Sequence, residues 1–266
     1  MSVRAAVKRL SISAGVYRPV RWLFRLANPH QLRAFHAEVD LYRALLPPKA
    51  LCFDVGANIG EKSEALLCSG AAQVIAFEPN PLVLPELLAR CSHWKNWILV
   101  EGALGSAAAV TTLYARESHG QSSLLKEWEG QTIATYFVPV VTLDSAIECF
   151  GVPFYCKIDV EGWELEVLNG LTRALPLVSF EFHLSDRDIA RTISCLERLG
   201  RLGPSRVNIV PAESSGFHLK EWLPLESFLG WFPGDLKSSL PGHAYGDIFV
   251  KNDLVVTDYD RAISPS

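Results

Sequence analysis

Short apolar runs alternate along the chain with amphipathic stretches, in an order that predicts strand, helix, strand, helix. Leu51-Cys52-Phe53 is the first run. Asp54 and the small-residue stretch Gly56-Ala57-Asn58-Ile59-Gly60 follow, and a helical pattern then covers Glu61–Ser69. This reads as a buried strand, a tight glycine turn and a helix opening. Residues 74–77 form a second apolar strand closed by Glu78. Asn80-Pro81 looks like a cap with a proline at the first helical position, starting a helix to about Cys91. Residues 97–100 are a third strand, ending at Glu101-Gly102. Residues 111–115 and 136–141 are strand-like with no helix between them, so a β-hairpin with a long mobile tip over 116–131 is expected.

Leu143–Phe150 reads as a short helix and 154–158 as a fourth core strand, ending in Asp159-Val160-Glu161-Gly162. A helix closed by Asn169-Gly170 follows, then a strand over 177–182 that carries Glu181 and delivers His183. Ser185 and Asp188 cap the next helix, whose apolar face is Ile189, Ile193, Leu196 and Leu199. Residues 206–210 and 247–250 are the last two strands. Between them, 211–245 holds Trp222, Phe228, Trp231, Phe232 and Tyr245, the composition of a cap or binding loop. Upstream, Leu32, Phe35, Val39, Tyr42 and Leu46 make one helical face between Asn28-Pro29 and Pro47-Pro48. The predicted organisation is a helical arm over 1–48, one α/β domain over 49–256 with 211–245 as a lid, and a tail over 257–266.

Composition narrows the reading. At 266 residues and 49 % hydrophobic, the chain supports one large domain. A net charge of −4 excludes a general nucleic-acid binder. None of the first 37 residues is acidic, while Arg4, Lys8, Arg9, Arg18, Arg21, Arg25 and Arg33 are basic. That arm is expected either to pack on the domain with its arginines in solvent or to touch acidic lipid as an amphipathic helix. The six scattered cysteines, with no C-x-x-C, read as small buried hydrophobes in a reducing compartment. No apolar run is long enough to span a bilayer, and arginines interrupt the N-terminal apolar stretches, so a cytoplasmic protein without a secretory signal is expected.

The chemistry should gather at the carboxyl ends of the strands. Those ends carry Asp54, Glu78, Glu101, Asp159 and Glu181, with His183 close behind. Glu78 stands about 20 residues beyond the glycine turn, where an acid can hold a ribose diol, so the pair reads as a nucleoside cofactor site. The spacing Gly56-x-x-x-Gly60 departs from G-x-G-x-x-G and weighs against a dinucleotide. A rim of acids also suits a cationic cofactor.

Five separated blocks carry a resemblance: D-V-G-A-N-I-G (54–60), I-A-F-E-P-N (75–80), V-T-L-D (141–144), K-I-D-V-E-G-W-E (157–164) and G-D-I-F-V (246–250). Together, over about residues 50–250, they resemble the FkbM-type, S-adenosylmethionine-dependent methyltransferases. The resemblance implies the class I methyltransferase, Rossmann-like sheet: seven mostly parallel strands, the last antiparallel, with helices on both faces. It implies that Asp54, Gly56, Ala57, Asn58 and Gly60 cradle the methionine part of S-adenosylmethionine and that Glu78 takes the ribose hydroxyls. Asn80 belongs to the same set, and Glu101 stands where relatives often place an Asn or Asp near adenine. It also implies an acceptor hydroxyl on a sugar, glycan or secondary metabolite.

In-line transfer needs positioning and a base. Asp159 is the first candidate base and His183 the second, its ordinary pKa suiting neutral pH. Glu181 is expected to hold acceptor hydroxyls or cap a turn. Glu161 is assigned to the helix N-terminus, Lys157 to a buried ion pair, and Trp163 to the core or a substrate platform. Asp159, Glu181 and His183 are a conceivable ligand set, but nothing else in the sequence supports a metal. A nicotinamide-dependent oxidoreductase and a non-catalytic nucleoside- or glycan-binding module are the competing readings. Acceptor and oligomeric state stay open.

Overall fold

The computed structural model describes residues 3–212, 214, 216–239 and 245–255. The chain enters through α1 (Val3–Ser13), α2 (Tyr17–Leu26) and α3 (Pro29–Leu45), then alternates β1 (Leu51–Val55), α4 (Glu61–Ser69), β2 (Gln73–Phe77), α5 (Leu84–Cys91) and β3 (Trp97–Val100). A short β4 (Ala103–Leu104) leads to the hairpin β5 (Ala109–Arg116) and β6 (Thr132–Val141). Next come α6 (Leu143–Phe150), β7 (Tyr155–Ile158), α7 (Glu164–Asn169), β8 (Leu177–His183), α8 (Asp186–Gly200) and β9 (Ser205–Pro211). The described chain finishes with β10 (Leu223–Pro224), α9 (Leu225–Trp231), α10 (Gly234–Ser239) and β11 (Tyr245–Asn252).

The main sheet runs β10-β9-β11-β8-β7-β1-β2-β3. Pairs from β8 to β3 are parallel, and β11 is antiparallel to both β8 and β9. The seven expected strands are therefore present with the last antiparallel, and the two-residue β10 adds an eighth at one edge. The strands are apolar on both faces because helices cover both. Phe53, Ile75, Ile158 and Phe180 face α6, α7 and α8, whereas Cys52, Val74, Ala76 and Phe249 face α3, α4 and α5. Helix α3 thus belongs to the sheet's covering layer through Val39 and Tyr42, and only α1 and α2 form an arm.

Two local readings change. Helix α5 starts at Leu84, with Val83 as its cap residue and Pro85 in its first turn, so Asn80-Pro81 is not its cap. Asn80 instead accepts the Leu82 N–H at 3.0 Å, closing a turn that precedes the helix. The 116–131 stretch is tied down rather than free. Buried Arg116 donates to the carbonyls of Leu125 and Lys126 at 3.1 and 2.9 Å, and Tyr114 bridges Ser123.

The aromatic 211–245 segment packs on itself and the core. Phe217 meets Trp222 and Phe249 edge-on at 5.0 and 5.4 Å, and Phe228 stacks on Phe232 at 5.7 Å. Of the aromatics singled out there, Tyr245 is the exposed one. Residues 213, 215 and 240–244 of that segment, and the 257–266 tail, lie outside the described residues. Cys52, Cys91, Cys156 and Cys195 are buried as expected, Cys68 is half-buried and Cys149 is exposed; all six are free.

Candidate active site

The turn after β1 is built by backbone geometry. Gly56 and Ala57 donate to the Phe77 carbonyl at 2.9 and 3.0 Å, which fastens the turn to the end of β2. Gly56 has φ +81°, and Asn58 also sits at positive φ, +49°. That twist aims the Asn58 N–H at Glu78 Oε2, 2.6 Å away, while Asn80 N–H donates to Oε1 at 2.7 Å. Glu78 is thus held by two backbone donors at the spot the sequence spacing foretells. Burial, opposed by those two donors, raises its pKa to about 7.

These residues wall a cavity of about 180 Å³. Gly56, Asn58 and Glu78 form one side, Ser122 and Leu124 from the hairpin tip another, and Asp159, Glu161, Trp163 and Glu181 the far end. Asn80 braces the tip by donating to Ser122 Oγ at 3.2 Å. Ala57 and Gly60 shape the turn from behind and do not line the cavity. Glu101 is exposed and also outside the lining, where Gly102 and Ala103 stand instead. Asp54 is fully buried on the α4 side of β1 and accepts from Ser63 Oγ at 2.6 Å. Its second oxygen, Oδ1, is buried without a hydrogen-bond partner, as is Asn58 Oδ1. Two orphaned acceptors beside a glycine turn, with an acid at the next strand end, fit a ligand that brings N–H or O–H donors. A nucleoside cofactor with an ammonium group is such a ligand.

At the far end, one oxygen each from Asp159, Glu161 and Glu181 lie within 4.8 Å of one another. Three carboxylates so close repel, and a proton or a hard cation between them relieves it. Two positive groups already stand by. Lys157 donates to Asp159 Oδ2 at 2.6 Å and lies 3.9 Å from Asp247, the expected buried pair. His183 Nε2 is 3.2 Å from Glu181 and its ring stacks on Tyr245. Burial alone would raise Asp159, but the Lys157 charge outweighs it and holds the carboxyl below the usual range. Burial and the Asp159 and Glu181 charges push Glu161 up to about 8.

One expectation fails here, and another meets an opposing field. The hydrogen bond to Glu181 raises His183 to about 9 against the cost of burial, which favours the imidazolium over the free base. Glu161 does not serve the helix start. Its backbone is at φ +53°, its carboxylate accepts from Trp128 Nε1 at 3.0 Å, and its carbonyl accepts from Ser123 Oγ. The helix-start role falls to Glu164, which accepts from the N–H groups of Val160 and Gly162. Trp163 lines the cavity and packs on the core at once. The sequence held one signal for Glu161: an acid two residues past a strand-end Asp, followed by a glycine.

A second, wider cleft of about 610 Å³ meets the cavity at Asp159 and Glu181. Its walls come from α3 (Arg33, Glu38), from Lys62 and Lys157, and from Tyr245 and Asp247 on β11. Charges of both signs line it, beside apolar residues such as Leu41 and Phe249.

The FkbM methyltransferase domain profile matches residues 54–202. The hexuronic acid methyltransferase AglP of Haloferax volcanii is 31 % identical over 176 residues, covering 62 % of this chain and 71 % of that one. Among solved structures, a precorrin-6Y C5,15-methyltransferase of Geobacter metallireducens covers 82 % of this chain and 86 % of its own, with TM-score 0.45 and 14 % identity. A TehB-like methyltransferase of Corynebacterium glutamicum covers 90 % and 99 %, with TM-score 0.44 and 14 % identity.

Proposed function

The chain belongs to the FkbM methyltransferase family, with S-adenosylmethionine as its cofactor, and from that premise we propose that it methylates a hydroxyl oxygen of a sugar or similarly hydroxylated acceptor. The observation that carries this reading is the junction of the two hollows at Asp159 and Glu181. It lets a cofactor in the narrow cavity meet an acceptor in the wide cleft.

When bound, S-adenosylmethionine supplies a methyl group already activated by a sulfonium. The chain's own residues bind, orient and move the proton. Glu78, with spare lone pairs on both oxygens, accepts the ribose hydroxyls, and Asn58 Oδ1 takes a donor from the methionine end, while Asp54, buried behind the turn and outside the lining of both hollows, braces it through Ser63. The strand-end carboxylates favour a cationic ligand by simple Coulomb attraction.

The acceptor oxygen then approaches between Asp159, Glu161 and Glu181. Asp159, held low by Lys157, is a poor base and serves better to accept a hydrogen bond that orients the acceptor. Glu161, near 8, is matched to take the hydroxyl proton around neutral pH, a contribution of about 10²–10⁴-fold. His183, protonated, steadies Glu181. Hexuronic acid, which the Haloferax volcanii relative's name mentions, offers hydroxyls and a carboxylate. Asp159, ionised, accepts from a hydroxyl and repels a second carboxylate, which supports the alcohol.

Calorimetric titration with S-adenosylmethionine, S-adenosylhomocysteine and NAD tests the cofactor, and a screen of neutral and acidic sugars with mass-spectrometric detection tests the acceptor. Binding of the two methionine nucleosides that is lost in Glu78→Ala, with +14 Da on an alkali-stable ether, is the expected result. An alkali-labile methyl ester as the only product would replace the hydroxyl with a carboxylate acceptor.

A further inference from the structure

Helix α2 is inside out. Residues 17, 21 and 25, four apart, share one face, and here that face is Tyr17, Arg21 and Arg25, turned into the protein. Tyr17 donates to Glu86 at 2.5 Å, and Arg21 and Arg25 donate to one Glu64 oxygen at 2.9 and 3.0 Å. The guanidinium of Arg25 also lies 3.7 Å over the Phe35 ring. The opposite stripe is Trp22, Leu23 and Leu26, which are 46, 64 and 50 % exposed. A helix on a water-soluble surface turns its apolar stripe to the core and its charges to solvent. Here the ion pairs fix the reverse orientation, and the apolar stripe cannot roll inward without breaking them.

An apolar stripe held outward marks an interaction surface. Charge says what kind. Arg18, one turn before Trp22, is exposed on the same stripe, Leu10 on α1 is 70 % exposed beside Arg9, and no acid occurs before Glu38. A tryptophan and leucines bordered by arginines, with no carboxylate on α1 or α2 themselves and with Glu61 and Glu64 drawn to the opposite face by Arg21 and Arg25, match the boundary layer of an acidic bilayer. We propose that α2 docks this protein on anionic phospholipid, with Trp22, Leu23 and Leu26 among the headgroups and Arg18 against lipid phosphates. No helix among the described residues is long and apolar enough to cross a membrane, so the contact is peripheral.

The test is co-sedimentation of the full chain with vesicles of phosphatidylcholine alone and with about one third phosphatidylglycerol, at low and high salt. The expected result is binding to the acidic vesicles only, weakened by salt. A triple Trp22→Ser, Leu23→Ser, Leu26→Ser variant should lose about tenfold or more in partitioning. The same variant should keep its melting temperature and S-adenosylhomocysteine affinity, since none of the three residues touches the site. Trp22 fluorescence should shift to the blue on binding. Absence of binding, or equal binding by the variant, overturns the proposal. So does a dimer in lipid-free buffer that the variant abolishes, which assigns the stripe to a second copy of the chain.

Discussion

The carbonyl oxygen of Asp159 lies 1.8 Å from where a β-carbon on Gly56 would stand. The cofactor turn and the candidate catalytic loop are therefore in direct backbone contact, and side-chain-free Gly56 is what permits it. Gly56→Ala should cost about 3 kcal/mol or more in urea unfolding, adding a backbone clash to the strain of positive φ. Gly70→Ala, at φ +105° with open space around it, is the control and should cost only about 1–2 kcal/mol. Equal costs would mean that the close approach relaxes freely.

Glu78 predicts a pH dependence of cofactor binding. Ribose hydroxyls donate to the ionised carboxylate, so protonation competes with them. Affinity for S-adenosylhomocysteine should fall as pH drops below about 7, approaching tenfold per unit. Glu78→Gln should bind weakly and lose this dependence. Without ligand the sign reverses. Burial raises the native pKa from 4.5 to about 7, so the folded chain binds the extra proton, and Glu78's share of stability is lost as pH rises through that window. Calorimetric titration and melting curves from pH 5 to 8 measure both.

Glu161→Gln should lower turnover by about 10²–10⁴-fold while cofactor affinity holds. Because the ionised form is the base, the wild-type rate should rise with pH toward about 8, and the variant should lack that limb. Retention of the limb would move the proton acceptor to another member of the carboxylate cluster, which titrates as a unit.

Asp159→Asn should act differently. It removes the nearest partner of a buried ammonium, leaving Asp247 at 3.9 Å, so stability should drop by about 2 kcal/mol along with turnover. A partly exposed Asp159 and the surviving Asp247 keep this below the cost of a fully buried pair. A stable variant with normal turnover would show that Lys157 needs only Asp247.

Glu64 gathers Arg21, Arg25 and Arg90 within 3.3 Å of one carboxylate oxygen. Glu64→Ala leaves three guanidinium groups facing each other, with the more exposed Glu61 beside Arg21 and Arg90 and with Glu86 3.6 Å from Arg90. Hydrogen exchange in α1 and α2 should then speed up markedly, with the main sheet unaffected. Unchanged exchange would mean that apolar packing alone holds the arm.

What was legible in the sequence is what depends on neighbours close in the chain. The strand–turn–helix at 51–69 and Glu78 at the next strand end follow from periodicity and spacing, and both stand where expected. Glu161 was missed because its role comes from Trp128, 33 residues away, across a hairpin whose tip no local pattern places. The upward pull on His183 comes from Glu181 on the same strand face, a pairing the ordinary imidazole pKa does not disclose. Arg21 and Arg25 of α2 turn inward rather than to solvent because the acids that draw them, Glu61 and Glu64, sit far along the chain on α4. The proline that opens α5 is Pro85, and the more prominent Asn80-Pro81 four residues earlier masked it.

Strand β11 sits inside the sheet, between β8 and β9, yet it comes after both in the chain and is the last strand among the described residues. Until β11 emerges, β8 keeps an unpaired edge and β9 has no strand joining it to the sheet, and such edges invite pairing with other chains. Glu181, beyond the last β7 partner on β8, gains its strand neighbour Asp247 only when β11 arrives. Asp247 thus joins Lys157 and the strand-end acids late, and the open edge of β8 is closed only when β11 arrives.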